Sequence, residues 1–195
     1  MARGKVVMMD QHTKSGASPV PKSQLSVGDQ IPNVVFEDID GAKSSTGKLV
    51  HKIQVMSFAN QVNASKLRGW LRKAGLRVAQ DYPDLEVVHL GFADVSQLPR
   101  LLKRLVVPLL RTIHDISKAE LEAAYGRDEV LYLAPDWDGR YFEEFGLQPS
   151  EQYTCWVVKN GKIVGSFEQD SPRVAERFLS LFKELAAHSG SDQPS

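Results

Sequence analysis

Only one of the 195 residues is a cysteine, Cys155. That scarcity excludes an internal disulfide, a CxxC pair and a thiolate zinc cage, because each needs at least two thiols. An excess of charge is missing too: 24 basic residues meet 24 acidic ones, for a formal net charge of zero. Such a chain carries no global basic footprint for nucleic acid or an anionic membrane, so neither is expected as its main partner. No apolar run approaches the roughly 18 residues of a membrane helix. The short patch Val6 to Met9 is closed at once by Asp10 and is too brief for a secretory core. With a single free thiol, this predicts a cytoplasmic protein, or a periplasmic one if a leader is missing. Glycine-rich phosphate loops and GxSxG elbows are absent. The histidines, His12, His51, His89, His114 and His188, show no pairing at i+2, i+3 or i+4, so no local metal site and no cofactor are expected.

What is present reads as a soluble α/β protein, 42% hydrophobic and 25% charged, long enough for one domain with a sizeable core. Residues 10–24 are polar and rich in Ser, Pro and Gly, so 1–24 is expected to be a flexible N-terminal segment; 188–195 have the composition of a frayed tail. The folded domain is placed at 25–187. Within it, PNVVFEDIDGAK predicts a strand and a turn at Asp40-Gly41. Lys48 to Phe58 predicts a strand buried on both faces. Asn63 to Tyr82 carries helix-period apolar residues, with Gly75 expected to bend or end the helix. Leu85 to Phe92 predicts a second central strand. A long helical stretch from Asp94 to Tyr125 follows. Pro99 opens its helix, Pro108 is expected to kink or split it, and Gly126 stops it. Val130 to Pro135 predicts a third strand. YTCWVVKNGKIVGSF predicts a hairpin around Asn160-Gly161. A last helix, capped by Ser171 with Pro172 at its first position, buries Val174, Phe178, Leu181, Phe182 and Leu185.

This order resembles the thioredoxin-like superfamily, and within it the redoxin branch of alkyl hydroperoxide reductase and thiol-specific antioxidant relatives. Three stretches carry the resemblance. LSVGDQIPNVVFEDIDG is similar to the branch's opening. VLYLAPDWDGRYFEEFGL is similar to its strand, turn and short helix. YTCWVVKNGKIVGSF is similar to its hairpin. The resemblance implies a three-layer α/β fold with a central mixed sheet, an N-terminal strand or hairpin extension and a helical insertion before the third core strand. It also sets SFANQVNASK, residues 57–66, on the segment that carries the reactive cysteines in relatives. Val62 and Ser65 then stand at the cysteine positions, and the place of the family's cis-proline falls near Gln152, with Pro149 too far upstream. Disulfide exchange and peroxide reduction both need a thiolate. Ser65 and Val62 supply none, so the usual activities are expected to be absent.

Two functional readings remain. The first is a redox-inactive binding or scaffold protein for a protein partner, with its surface at the degenerate edge: Asn60, Val62, Asn63, Ser65, Gln152 and Tyr153. The second is a divergent thiol-dependent redoxin using Cys155 or thiols of a partner. Cys155 in an apolar strand is read as an inert core residue unless exposed. Non-redox catalysis would need Asp136 or His114 to converge with other groups in a pocket. His89 reads as a sheet histidine, and His114-Asp115 as a pair lacking a nucleophile. Asp136, Asp138, Glu143 and Glu144 read as a solvated turn and helix face. Lys66, Arg68, Arg72, Lys73 and Arg77, and further on Arg100, Lys103, Arg104 and Arg111, read as solvated basic faces. The amphipathic stretch Asp94 to Arg111 reads as a helix covering the sheet, with a partner or a membrane as its other reading.

Overall fold

Alternation of small and large apolar residues builds the central sheet. A computed structural model describes residues 24–148, 153–168 and 173–189. Its elements run β1 (Val35–Glu37), β2 (Lys43–Ser45), β3 (Ile53–Asn60), α1 (Ala64–Asp81), β4 (Val87–Asp94), α2 (Arg100–Tyr125), β5 (Leu131–Asp136), α3 (Arg140–Glu144), β6 (Thr154–Lys159), β7 (Lys162–Glu168) and α4 (Val174–Ser189). Five strands form one sheet in the order β5-β4-β3-β6-β7. β3, β4 and β5 are parallel, while β6 and β7 are antiparallel to their neighbours. The mixed sheet, the hairpin extension β1–β2 and the helical insertion α2 before β5 are those expected from the sequence.

Because successive side chains point to opposite faces, β3 sends Val55 and Ala59 to one side and Met56 and Phe58 to the other. Two cores result. On the first face, α1 and α4 pack Leu67, Val78, Phe178 and Phe182 against the sheet, and the C-terminal half of α2 adds Leu121 and Tyr125. On the second face, α3 and the N-terminal hairpin enclose an aromatic cluster in which Phe58 stacks on Phe92, with ring centroids 5.1 Å apart. Phe145 and Trp156 meet Phe58 edge-on. The hairpin turn at Asn160-Gly161 has positive φ at both residues, 52° and 76°, as the right-handed strand twist favours.

Three expectations change. The third strand begins at Ile53 rather than Lys48, because residues 47–52 form turns. α1 continues past Gly75 without ending; the missing Cβ lets the helix sit against His89, since a Cβ there would lie 2.9 Å from the ring. α2 continues for 26 residues through Pro108 instead of splitting. No residue of its first half is buried, from Leu101 to Ile113, so the backbone groups that Pro108 disturbs lie in a helix open to solvent on one side. The expected cap at Ser171 and Pro172, and Pro149 and Gln152, lie outside the described residues, as do positions 1–23 and 190–195.

Candidate functional site

The corner between β3 and α1 occupies the predicted edge. The Asn60 N–H donates to Asn63 Oδ1 at 3.0 Å, and Asn60 Oδ1 accepts from the N–H groups of Val62 and Asn63 at 2.9 and 3.2 Å. The chain thus turns into the helix on paired asparagine side chains. Asn63 is buried inside this turn, Val62 is 70% exposed, and Ser65 is exposed at the first turn of α1. Tyr153 is buried, and its hydroxyl accepts a hydrogen bond from Trp70 Nε1 at 2.9 Å. Asn60 and Ser65 face a common cavity; Val62, Asn63 and Tyr153 do not line it.

That cavity holds about 410 Å³ between the sheet, α1 and the first half of α2. Its origin is visible in strand parity. Ser57 and Ala59 of β3, and Gly91 and Ala93 of β4, project towards α2 and are too small to fill the space beneath it. Leu71 of α1, Val106, Leu109 and Leu110 of α2, and Leu131 and Leu133 of β5 complete a mainly apolar wall. The signal was present in the sequence as small residues at alternate positions of two central strands, but it acquires meaning only once α2 is known to roof them. Arg72 of α1 and Glu120 of α2 join across the two helices through a bidentate ion pair. α2 also presents Leu101, Leu105 and Leu109, spaced four residues apart, with exposures of 82, 71 and 58%. The amphipathic stretch therefore covers the sheet only in part and leaves an apolar ridge beside the cavity.

Cys155 lies in the core with no solvent exposure, and burial pushes its thiol pKa up. His89 forms part of the cavity wall; burial lowers its pKa to about 4, and its Nε2 has no hydrogen-bond partner. The reading of Asp136 as a solvated residue is corrected: it is fully buried, and its Oδ2 accepts the Phe142 N–H at 3.0 Å at the start of α3. Burial raises its pKa. Asp138, by contrast, remains outside and accepts the Arg140 N–H at 3.3 Å. The basic residues of α1 are exposed at Lys66, Arg68, Arg72, Lys73 and Arg77, with Arg77 paired to Asp81 at 2.7 Å.

One group of metal-ligating side chains is found among the described residues: Asp38, Asp40 and His114. His114 is buried on α2, and its ring nitrogens face Asp38 Oδ2 at 3.6 Å, Asp40 Oδ2 at 3.5 Å and Asp115 Oδ1 at 3.4 Å. Local spacing does not reveal this group because His114 stands more than seventy positions from the two aspartates and meets them only through the fold. Asp136 does not belong to it.

No protein-family profile matches the chain, and no curated protein matches it. Solved structures do. A thiol:disulfide interchange protein from Bacteroides sp. is similar at 15% identity, with a TM-score of 0.54, over 87% of this chain and 93% of its own. BsSco, a member of the Sco family of cytochrome c oxidase assembly proteins, is similar at 11% identity and 0.57, over 84% and 97%. The exposed lipoprotein thioredoxin Etrx1 of Streptococcus pneumoniae is similar at 14% and 0.51, over 78% and 99%. The chain has a thioredoxin-like α/β fold with one cysteine in its whole length. Among the described residues, no helix is long and apolar enough to cross a membrane.

Proposed function

We propose that this thioredoxin-like chain is a redox-inactive binding protein that takes an apolar segment of a partner polypeptide at the degenerate edge. The observation that carries this reading is the cavity of about 410 Å³ opening beside Asn60 and Ser65. Its volume is in the range of small-ligand sites, about 300–1,000 Å³. Its wall is apolar, and the leucine ridge of α2 continues that surface outwards. Polar groups at the rim, Gln61 and Ser65, are suited to orienting a peptide backbone. Disulfide chemistry is disfavoured because the single thiol is buried and its thiolate form is suppressed.

The test is a fluorescence titration with anilinonaphthalenesulfonate, competed by short Leu- and Phe-rich peptides. Two variants accompany it. Leu109→Asp puts a charge on the cavity wall, and Ala93→Leu fills the floor. Each is expected to weaken peptide binding about tenfold or more, equivalent to about 1.4 kcal/mol. Failure of all peptides to bind, or binding that neither variant alters, would sink the reading. So would displacement of the dye by free fatty acids but not by peptides. Insulin reduction that disappears in Cys155→Ser would establish the thiol-dependent alternative instead.

A further inference from the structure

The carboxylates of Asp38 and Asp40 and the imidazole of His114 lie on opposite sides of the fold's edge, yet they share one small space. We propose that they form a binding site for a first-row divalent cation of the zinc or manganese type. This inference does not rest on the proposed function, although His114 also lines the cavity.

The local chain geometry presents the two carboxylates together. Asp38 and Asp40 flank the tight turn of the N-terminal hairpin, closed by Gly41 N–H to Asp38 O at 2.8 Å, with Gly41 at φ +86°. Asp38 is 4% exposed, and its two oxygens have different tasks. Oδ1 accepts two backbone N–H groups, from Ile39 at 2.8 Å and from Leu133 at 2.7 Å. Those bonds hold the group against the β5 edge and leave Oδ2 directed at His114. Asp40 divides in the same way: Oδ1 faces Arg111 Nε at 3.4 Å, and Oδ2 faces His114 at 3.5 Å.

His114 supplies the second, independent indication. Its side chain has 0% exposure, and neither Nδ1 nor Nε2 has a hydrogen-bond partner. A buried imidazole whose nitrogens make no hydrogen bond is costly. A cation bound at one ring nitrogen relieves that cost, and the other, as N–H, can donate to the carboxylate it faces, the arrangement common around metal-bound histidine.

The distances suit a small ion. Ligand atoms on a tetrahedral ion with bonds of about 2.0–2.1 Å are separated by about 3.4 Å. His114 Nδ1 lies 3.5 Å from Asp40 Oδ2 and Nε2 lies 3.6 Å from Asp38 Oδ2, so whichever nitrogen holds the ion has one carboxylate at that spacing, and one ligand atom from each residue falls within 4.8 Å of the others. The imidazole selects against magnesium and calcium, which prefer all-oxygen sites, and favours zinc or cobalt, while the two carboxylates also suit manganese. Two carboxylates balance the ion's charge; Arg111 pairs with Asp40 through its other oxygen, and Asp115 faces His114 Nδ1 at 3.4 Å. Entry is through the cleft lined by Asp38, Asp40, Arg111 and Trp137, on which Asp40 is 39% exposed. Such an ion would fasten the hairpin to α2, the helix that roofs the cavity.

The experiment uses the full chain without a histidine tag, stripped with a chelator and titrated with Zn²⁺ by calorimetry and with Co²⁺ by visible absorption. One saturating equivalent is expected, with a cobalt ligand-field band and a Tm that rises with metal and falls on chelation. Asp38→Asn keeps the oxygen that accepts the two backbone N–H groups, and Asp40→Asn changes a part-exposed residue, so both variants are expected to fold. Each is expected to weaken binding about tenfold or more. No saturable binding overturns the site. So does binding of equal strength in both folded variants, which would be an adventitious ion only.

Discussion

Asn60 and Asn63 bond to each other twice, each side-chain oxygen accepting the other's backbone N–H, at 3.0 and 3.2 Å. This exchange closes the corner between β3 and α1, and it orients the rim of the cavity. Asn60→Ala removes the acceptor for two N–H groups and is expected to cost about 1–2 kcal/mol. Asn63→Asp keeps an acceptor oxygen and should cost less. Thermal unfolding of the two variants checks the order; an Asn60→Ala protein as stable as the parent would refute it.

Two glycines of α1 make a matched pair. Gly69 is exposed, and a Cβ there meets nothing within 4 Å. Gly69→Ala is expected to stabilise the protein by about 1 kcal/mol through helix propensity. Gly75→Ala receives the same helical gain but pushes a methyl to 2.9 Å from His89. Over-packing of this kind costs about 1–3 kcal/mol, so a net loss is expected. Opposite Tm shifts are the result to look for; stabilisation by both substitutions would mean that the helix does not press on His89.

His89 sets a pH dependence. Its folded-state pKa is about 4, whereas an unfolded histidine titrates near 6.5. Between those values the unfolded chain binds the extra proton, so stability is complete above about pH 6.5 and falls as the pH drops towards 4. The shift corresponds to a loss of about 3 kcal/mol across that window. Denaturant midpoints measured at several pH values should show this slope in the parent and a reduced one in His89→Leu. Equal slopes in the two proteins would assign the effect to other groups.

Cys155 should behave as a core residue. A thiol-reactive disulfide reagent is expected to leave it unmodified in the native protein and to react fully in denaturant, since it has no exposure and burial disfavours its thiolate. Rapid native-state labelling would contradict this placement. Cys155→Ser, which buries a hydroxyl among Val55, Tyr153 and Val157 of the same core, is expected to lose about 1–3 kcal/mol.

Much of the sheet was readable because its signals are local. The Asn160-Gly161 turn, the alternation in β3 and the helix-period residues of α1 each report a preference of a few neighbouring residues. The errors arose where tertiary contact overrode that preference. Gly75 did not end α1, since its lack of a side chain is used for close packing on His89. Asp136 was taken for a surface acid, yet its charge is drawn inside by the free N–H groups that begin α3.

The sequence by itself determined the order of strands and helices, the balanced charge and the absence of a redox cysteine pair. Backbone propensity, side-chain periodicity and residue chemistry are properties of the chain alone. Only the tertiary structure decided that Ser57, Ala59, Gly91 and Ala93 pave one hollow under α2, and that Asp38, Asp40 and His114 meet. Those are relations between residues distant in sequence. They exist because strand pairing and helix packing fix which side chains face one another, and no local pattern encodes that choice.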